Sequence, residues 1–336
     1  MYSQKMVRFT VLASGSRGNA AIVSGGCTRV LVDAGLSCRE LFRRMKSAGE
    51  DPQTLDAIVI THEHQDHVNG VAVTARKLGI PVYFTEPTHR AWMRWISPRK
   101  QMTYAQWAEL CRRQAAERQA EAAMDPLNPP ESETLAAAET AGPDLGGEPE
   151  AAPLTPEPES ASTPREDPTW LPAVEYFEAG RPFEIGDIQV SPFTIPHDAA
   201  DPVGFVFRAE GIRIGFATDL GYIPPNVKAQ LAGLHLLLLE SNHDLEMLRD
   251  GPYPWSVKQR VLSRVGHLSN DAAADFLENG YDGQAAYVVL AHLSENNNLP
   301  ELARVAAERA LKDRAGLLAN RLLLAEQQQP LSSLYF

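Results

Sequence analysis

The sequence predicts an α/β (α+β) protein built as a four-layer sandwich in the order helix, sheet, sheet, helix. Apolar runs of strand length alternate with helical segments in both halves of the chain, so each half has strands for a sheet of its own. The 336 residues are 44% hydrophobic and 22% charged, which is typical of a globular protein with a sizeable core. In addition, polar residues of metal-binding type directly follow several apolar strands, which predicts a shared functional cleft.

In the first half, apolar runs bounded by glycine-containing turns predict strands, with helices between them. Ser37 can cap the first helix and Gly49 can end it, since a hydroxyl satisfies free N–H groups and glycine accepts the left-handed backbone after a helix. In order, we expect strands at residues 7–13, 20–24 and 29–33, a helix at 38–48, a strand at 55–60, a helix at 66–78, a strand at 81–84 and a basic amphipathic helix around Arg90 and Arg94.

The second half continues the alternation, so helices should cover the outer faces of both sheets. We expect strands near residues 174–177, 188–195, 203–208, 212–217, 235–240 and 285–291, and helices at 270–278 and 299–311.

Residues 126–168 differ in composition from the rest of the chain. They contain ten Pro, ten Asp or Glu, one Arg and four Leu as the only large apolar residues. Such a segment cannot bury enough surface to offset its ordering entropy. We therefore predict one domain in two parts, residues 1–125 and 169–336 with a C-terminal tail, separated by a disordered acidic Pro/Ala-rich insertion at 126–168.

The acidic balance does not exclude a phosphate-bearing substrate. The net charge is −12, but residues 126–168 carry −9 of it and the rest of the chain only −3. The longest apolar stretches are too short to cross a membrane, and the N-terminus shows no secretory segment. The three cysteines lack CxxC spacing. We expect a cytoplasmic protein without a membrane partner.

The sequence His62-Glu-His-Gln-Asp-His67 follows the apolar strand predicted at 55–60. In an extended segment His62 and His64 point to the same side, and Asp66 and His67 begin the next helix. Three imidazoles and a carboxylate within six residues suit zinc, and also manganese or iron. Six residues cannot complete two metal shells, so we expect His197, Asp219 and His292, each just after an apolar strand, to join this cluster.

These motifs resemble those of the metallo-β-lactamase-fold hydrolases, and most closely the WalJ/YycJ-type branch. The resemblance covers nearly the whole chain except the acidic insertion, which is atypical. It is carried by the H-x-H-x-D-H motif and by residues 13–19 (ASGSRGN), 31–37 (LVDAGLS), 196–200 (PHDAA), 218–222 (TDLGY), 240–244 (ESNHD), 266–270 (GHLSN) and 290–298 (LAHLSENNN).

The resemblance implies the αββα metallo-β-lactamase sandwich, two divalent metal ions and 5′-to-3′ exonuclease activity on DNA, with a role in DNA repair. It implies that His62, His64 and His197 hold one ion, that Asp66, His67 and His292 hold the other, and that Asp219 bridges them. Zn²⁺ is the expected metal, with Mn²⁺ or Fe²⁺ as alternatives. The metal site alone leaves open a phosphodiesterase for RNA or small cyclic phosphates, or a non-catalytic metal-loaded regulatory protein.

The expected catalytic residues are Asp66, His267 and Glu240. The stretch around His267 is similar to one in tRNA-processing members of the fold, where the histidine is a general acid, and Glu240 would orient this ring. The alternative is that His267 only begins a helix and that its ring bonds the backbone. Asp33 is expected to orient a ligating histidine. Expected substrate contacts are Ser16, Arg17, Asn19, His243, Ser269 and Asn270.

The C-terminal residues 328–336 resemble the short peptides that sliding clamps bind, since they combine Gln, Leu and aromatic residues. The alternative is a final strand packed on the body of the protein. A clamp partner requires an exposed peptide, so the structure of the tail distinguishes the two.

Overall fold

Two sheets packed face to face form the centre of the protein. The computed structural model describes residues 6–97, 109, 112–113, 167–314 and 319–336. Residues 1–97 and 167–336 belong to one compact unit. Residues 126–166 of the predicted insertion lie outside the described residues, so its disorder stays a prediction. No helix among the described residues is long and apolar enough to span a membrane.

The first sheet is mixed. Its strands are β1 (Arg8–Ala13), β2 (Ala20–Ser24), β3 (Arg29–Val32), β4 (Ala57–Val59), β5 (Val82–Phe84), β6 (Val174–Tyr176) and the C-terminal β14 (Leu334–Tyr335), in the order β14-β1-β2-β3-β4-β5-β6. Neighbours from β14 to β3 are antiparallel, and those from β3 to β6 are parallel. The helices of this half are α1 (Cys38–Ser47), α2 (Gln65–Val68), α3 (Val71–Leu78) and α4 (Glu86–Ile96).

The second sheet is mixed in the same way. Its strands are β7 (Phe183–Ile185), β8 (Ile188–Thr194), β9 (Val203–Ala209), β10 (Ile212–Ala217), β11 (Leu236–Glu240), β12 (Tyr287–Ala291) and β13 (Arg321–Leu324), in spatial order from β13 to β7. Neighbours from β7 to β10 are antiparallel, and those from β10 to β13 are parallel. The helices of this half are α5 (Pro225–Gln230), α6 (Leu245–Asp250), α7 (Trp255–Val261), α8 (Asn270–Asp275) and α9 (Pro300–Leu311).

The period of two along each strand divides its side chains between two cores. On β11, Leu236 and Leu238 pack between the sheets, while Leu237 and Leu239 pack against the outer helices of the second half. The first sheet is divided likewise, with Val59 facing the second sheet and Ile58 facing helices α1, α3 and α4. This arrangement confirms the predicted four-layer αββα sandwich.

The predicted helix at 66–78 is two helices, α2 and α3, which break at Gly70. The Gly70 N–H donates to Ala34 O at 2.7 Å. A Cβ on Gly70 would lie 2.0 Å from Leu36 O, so only glycine fits this close approach. The short β7 and β13 and helices α5 to α7 were not predicted, because their sequences are short or lack a clear period.

The C-terminal tail ends in a strand on the sheet edge. Leu334 and Tyr335 pair with Phe9 and Arg8 of β1, and Leu334 is 9% exposed. The Phe336 N–H donates to Val7 O at 3.0 Å. The tail is therefore not an exposed peptide, and the structure supports the packed strand over the predicted sliding-clamp contact.

Candidate metal centre

The ends of several strands bring the predicted metal ligands to one edge of the sandwich. The histidine motif follows β4, while His197, Asp219 and His292 follow β8, β10 and β12. Asp219 and His292 have left-handed φ values of 60° and 55°, which are uncommon for residues with a Cβ. Such conformations persist only where the surroundings hold them, and they cluster at functional sites.

One group of ligand atoms is made of three imidazoles. His64 Nδ1 lies 3.1 Å from His62 Nε2 and 3.2 Å from His197 Nε2. The His62 ring is fully buried, and its Nδ1 lies 3.0 Å from the Thr61 hydroxyl, so Nε2 faces the other rings. His197 Nδ1 donates to Gly266 O at 3.1 Å, which directs its Nε2 to the same point.

A second group combines two imidazoles with a carboxylate. Asp66 Oδ2 lies 3.4 Å from His292 Nε2 and 3.5 Å from His67 Nε2. The His67 Nδ1 donates to Asp33 Oδ2 at 2.8 Å, so Asp33 fixes the orientation of this ring as expected from the sequence. A buried carboxylate behind a histidine is the arrangement that orients metal-ligating rings in proteins.

Asp219 lies between the two groups. Its Oδ2 is 3.4 Å from His67 Nε2, and it also clusters with His62. This oxygen is buried and has no hydrogen-bond partner among the described residues. An unpaired buried carboxylate oxygen is costly, so its position calls for a cation.

The donor atoms fit two divalent cations. Ligands held about 2.0–2.1 Å from one tetrahedral ion are about 3.3–3.4 Å apart. The separations within the two groups run from 3.1 Å to 3.5 Å. Asp219 Oδ2, which has no hydrogen-bond partner among the described residues, is the atom placed to serve both groups. The family that the sequence resembles implies divalent ions, and these residues are suited to hold them.

The buried charges of the site leave an excess of negative potential around the ligand atoms. Burial and the neighbouring His67 lower the pKa of His62, so that ring is neutral and can ligate. Burial opposes ionisation of Asp219, but His292 and His67 hold the pKa of that carboxyl well below its usual range. Burial opposes the charge on His67, but the carboxylates of Asp219 and Asp66 raise its pKa. The carboxylates thus create a negative potential that cations neutralise.

Backbone contacts hold the ligand loops in place. The Ser14 hydroxyl accepts from the His292 N–H at 2.7 Å, and the Asn19 N–H donates to Asp66 O at 2.7 Å. A Cβ on Gly35 would lie 1.6 Å from Asp66 O, so this position admits only glycine. Ser14 was not predicted to act at the site, although it lies in the glycine-containing motif at 13–19.

Glu240 connects the metal cluster to His267. It is fully buried, and its Oε1 accepts from the Nδ1 of both His267 and His292 at 2.8 Å. Its Oε2 accepts from the N–H groups of Leu220 and Leu268 at 2.9 Å and 3.1 Å. Burial opposes ionisation, but His267 lowers the pKa of Glu240 to about 2. This carboxylate therefore stays charged and fixes both rings.

A cavity of about 370 Å³ opens onto the cluster. Asp66, Asp219, His267 and His292 line it, and so does Ser16, one of the predicted substrate contacts. The cavity is therefore large enough to admit part of a substrate to the ligand atoms. Its other lining residues are His64, Gln65, Asn242, Tyr253, Val257, Arg260, Val261, Ser294 and Asn297.

The other predicted substrate contacts do not line this cavity. Arg17 is turned outward and forms an ion pair with Glu295 at 2.5 Å. Asn19 is buried, and its Nδ2 lies 3.2 Å from Asp66 Oδ2, so it contacts a ligand rather than the cavity. The remaining residues are buried in the loops behind the site. The ring nitrogens of His243 have no hydrogen-bond partner among the described residues, Ser269 caps α8, and Asn270 is bonded to Ser241 and Asn298.

Comparison with known proteins agrees with this architecture. Residues 14–255 match the family described as the metallo-beta-lactamase superfamily. The chain is 32% identical to exodeoxyribonuclease YycJ of Bacillus anthracis, over 92% of this chain and 90% of that protein. It is 30% identical to exodeoxyribonuclease WalJ of Streptococcus pneumoniae, over 89% of this chain and 86% of that one.

A solved structure shows the same fold. The metallo-beta-lactamase fold protein YhfI of Bacillus subtilis matches with a TM-score of 0.56 and 11% identity, over 97% of this chain and 99% of that one. The predicted resemblance and the predicted enzyme class are confirmed. The chain belongs to the metallo-beta-lactamase superfamily and is a hydrolase of that fold.

Proposed function

We propose that the protein is a 5′-to-3′ DNA exonuclease that depends on two divalent ions. The observation that carries the proposal is His267, which lines the cavity together with four of the seven candidate metal ligands and is held there by the buried Glu240. The two relatives named exodeoxyribonuclease support DNA as the substrate, because each is aligned over most of both chains.

Each ligand group serves one ion in this proposal. His62, His64 and His197 would hold the first, Asp66, His67 and His292 the second, and Asp219 would bridge them. When bound, two divalent ions would supply a hydroxide nucleophile near neutral pH and would neutralise charge on the phosphate. Five of the seven ligands are imidazoles, which favours Zn²⁺, with Mn²⁺ or Fe²⁺ as alternatives.

His267 is proposed to protonate the leaving oxygen. Cleavage of a DNA phosphodiester expels an alkoxide, and a positioned acid accelerates such steps by about 10²–10⁴-fold. The His267 Nδ1 donates to Glu240, so the proton on Nε2 is the one available to the cavity. Glu240 is a positioning residue, because it acts through this ring and through His292.

A single-stranded oligonucleotide with a 5′-phosphate and a 3′ label tests the proposal. We expect stepwise shortening from the 5′ end, which EDTA stops and added divalent metal restores. Cleavage of RNA or of bis-p-nitrophenyl phosphate without cleavage of DNA would favour the alternative phosphodiesterase. No hydrolysis of any of the three with metal present would contradict the proposal. A role in DNA repair stays a prediction from the family resemblance.

A further inference from the structure

One wall of the metal-centre cavity is a face of α7. Val257, Arg260 and Val261 line it at i, i+3 and i+4, which places them on one side of the helix, and Tyr253 lines it just before the helix begins. Among the described residues that line this cavity, Arg260 is the one Lys or Arg. The other three residues of this wall are uncharged, so its positive charge is concentrated at one point.

Asp198 holds the Arg260 guanidinium by its side edge. Arg260 Nε and Nη2 both donate to the Asp198 carboxylate, the latter at 3.1 Å. Arg260 Nη1 donates to no described residue, and the side chain is 57% exposed. One edge of the fork is therefore fixed while its other N–H groups stay available to an acceptor, a geometry that suits phosphate oxygens.

The segments that carry Asp198 and Arg260 are hydrogen-bonded to those that carry His197 and His267. The Asp198 N–H donates to Val265 O at 3.1 Å, and the His267 N–H donates to Val261 O at 3.0 Å. His197, which precedes Asp198, donates from Nδ1 to Gly266 O at 3.1 Å. Arg260 thus has a fixed position relative to both His197 and His267.

We propose that Arg260 binds a second phosphate of the substrate, distinct from the phosphodiester that is cleaved, and that Asp198 positions it. The proposal rests on the proposed function, because it assigns a subsite to the same nucleic acid. The ions would neutralise the scissile group, and Arg260 is a separate cation that lines the same cavity. The second phosphate is either the 5′-terminal phosphate or a neighbouring phosphodiester, since both offer the same oxygens.

Kinetics of Arg260→Ala separate this role from a structural one. We expect KM for a DNA oligonucleotide to rise about 10–100-fold, because a charge-assisted contact is lost, while kcat changes less than about threefold. Hydrolysis of bis-p-nitrophenyl phosphate, which has no second phosphate, should stay within about threefold. Arg249→Ala is the matched control: Arg249 also donates twice to a neighbouring aspartate, Asp250, but does not line the cavity.

Two further comparisons identify the phosphate and the role of Asp198. If Arg260 binds the terminal phosphate, the wild-type preference for a 5′-phosphate over a 5′-hydroxyl disappears in Arg260→Ala. If it binds a neighbouring diester, both oligonucleotides lose affinity equally. Asp198→Asn should raise KM less than Arg260→Ala does, and the double variant should be no worse than Arg260→Ala.

Binding of a phosphorothioate oligonucleotide, followed by fluorescence anisotropy, gives a readout independent of turnover. The slope of log Kd against log salt should fall by about 0.7 in Arg260→Ala, as expected for one lost phosphate contact to a single strand. An unchanged slope and KM, or equal losses on the oligonucleotide and on bis-p-nitrophenyl phosphate, would overturn the proposal. If the salt slopes of the wild type and Arg260→Ala differ by this amount but the wild type cleaves nothing, the proposed function fails and the subsite stands.

Discussion

Replacement of His267 by alanine tests the proposed acid most sharply. The variant removes a ring that is 19% exposed at the cavity and bonded to Glu240 at 2.8 Å. Glu240 keeps its bonds to His292, Leu220 and Leu268, so we expect the fold and the metal content to be retained. The cleavage rate of DNA should fall by about 10²–10⁴-fold, because the leaving alkoxide is no longer protonated.

A substrate with a good leaving group makes this prediction specific. Bis-p-nitrophenyl phosphate releases a stabilised phenolate that needs no proton, so we expect His267→Ala to slow its hydrolysis by less than about tenfold. Single-turnover rates on both substrates, with metal content measured on the same sample, provide the assay. His235→Ala is a control at the opposite end of β11 and should leave both rates unchanged. Equal losses on the two substrates, or normal DNA cleavage, would refute the acid role.

Four further changes test the site and the fold. Asp219→Asn should abolish cleavage and lower the bound metal per chain, measured by mass spectrometry of the metals. Glu240→Gln should slow DNA cleavage at least about 10²-fold and lower the Tm, because a buried amide nitrogen replaces an acceptor. Gly35→Ala should lower both Tm and metal content, since its Cβ displaces Asp66 O. Deletion of residues 334–336 should lower the free energy of unfolding by about 2–3 kcal/mol in urea titrations, as Leu334 and the β1 ladder are lost.

Each of these expectations has an opposing result. Full metal content with full activity in Asp219→Asn would remove the bridging role. Wild-type kinetics in Glu240→Gln would show that neither His267 nor His292 needs the negative charge of Glu240. A normal Tm in Gly35→Ala would mean that the backbone at Asp66 can shift to accommodate the added Cβ at little cost in free energy. If the truncated protein unfolds at the same urea concentration as the full chain, the tail contributes no packing.

The sequence predicts the ligand cluster well because its geometry follows from local rules. The H-x-H-x-D-H motif is compact, and His197, Asp219 and His292 each follow an apolar strand, so the topology of the sheets alone brings them together. A contact between Asp33 and a ligating histidine is likewise expected, since Asp33 follows β3, which pairs in parallel with the strand before the motif; the structure identifies this histidine as His67. These predictions depend on strand ends rather than on details of packing.

The substrate side of the site is harder to predict because it depends on contacts between distant segments. Arg260 lies in a short helix that the sequence does not predict, and it meets Asp198, 62 residues away, only in the folded chain. Arg17 lies in a promising glycine-containing loop, but its ion pair with Glu295 turns it outward. His243 lies three residues after Glu240, yet a bridge to Ser269 places its ring in the interior.

Anomalous diffraction from crystals of the metal-loaded protein tests the central claim most directly. The account predicts two peaks about 3.5–4 Å apart. One should lie among the ring nitrogens of His62, His64 and His197, the other among Asp66, His67 and His292, with Asp219 between them. A single peak, or two peaks outside this cluster, would contradict the account.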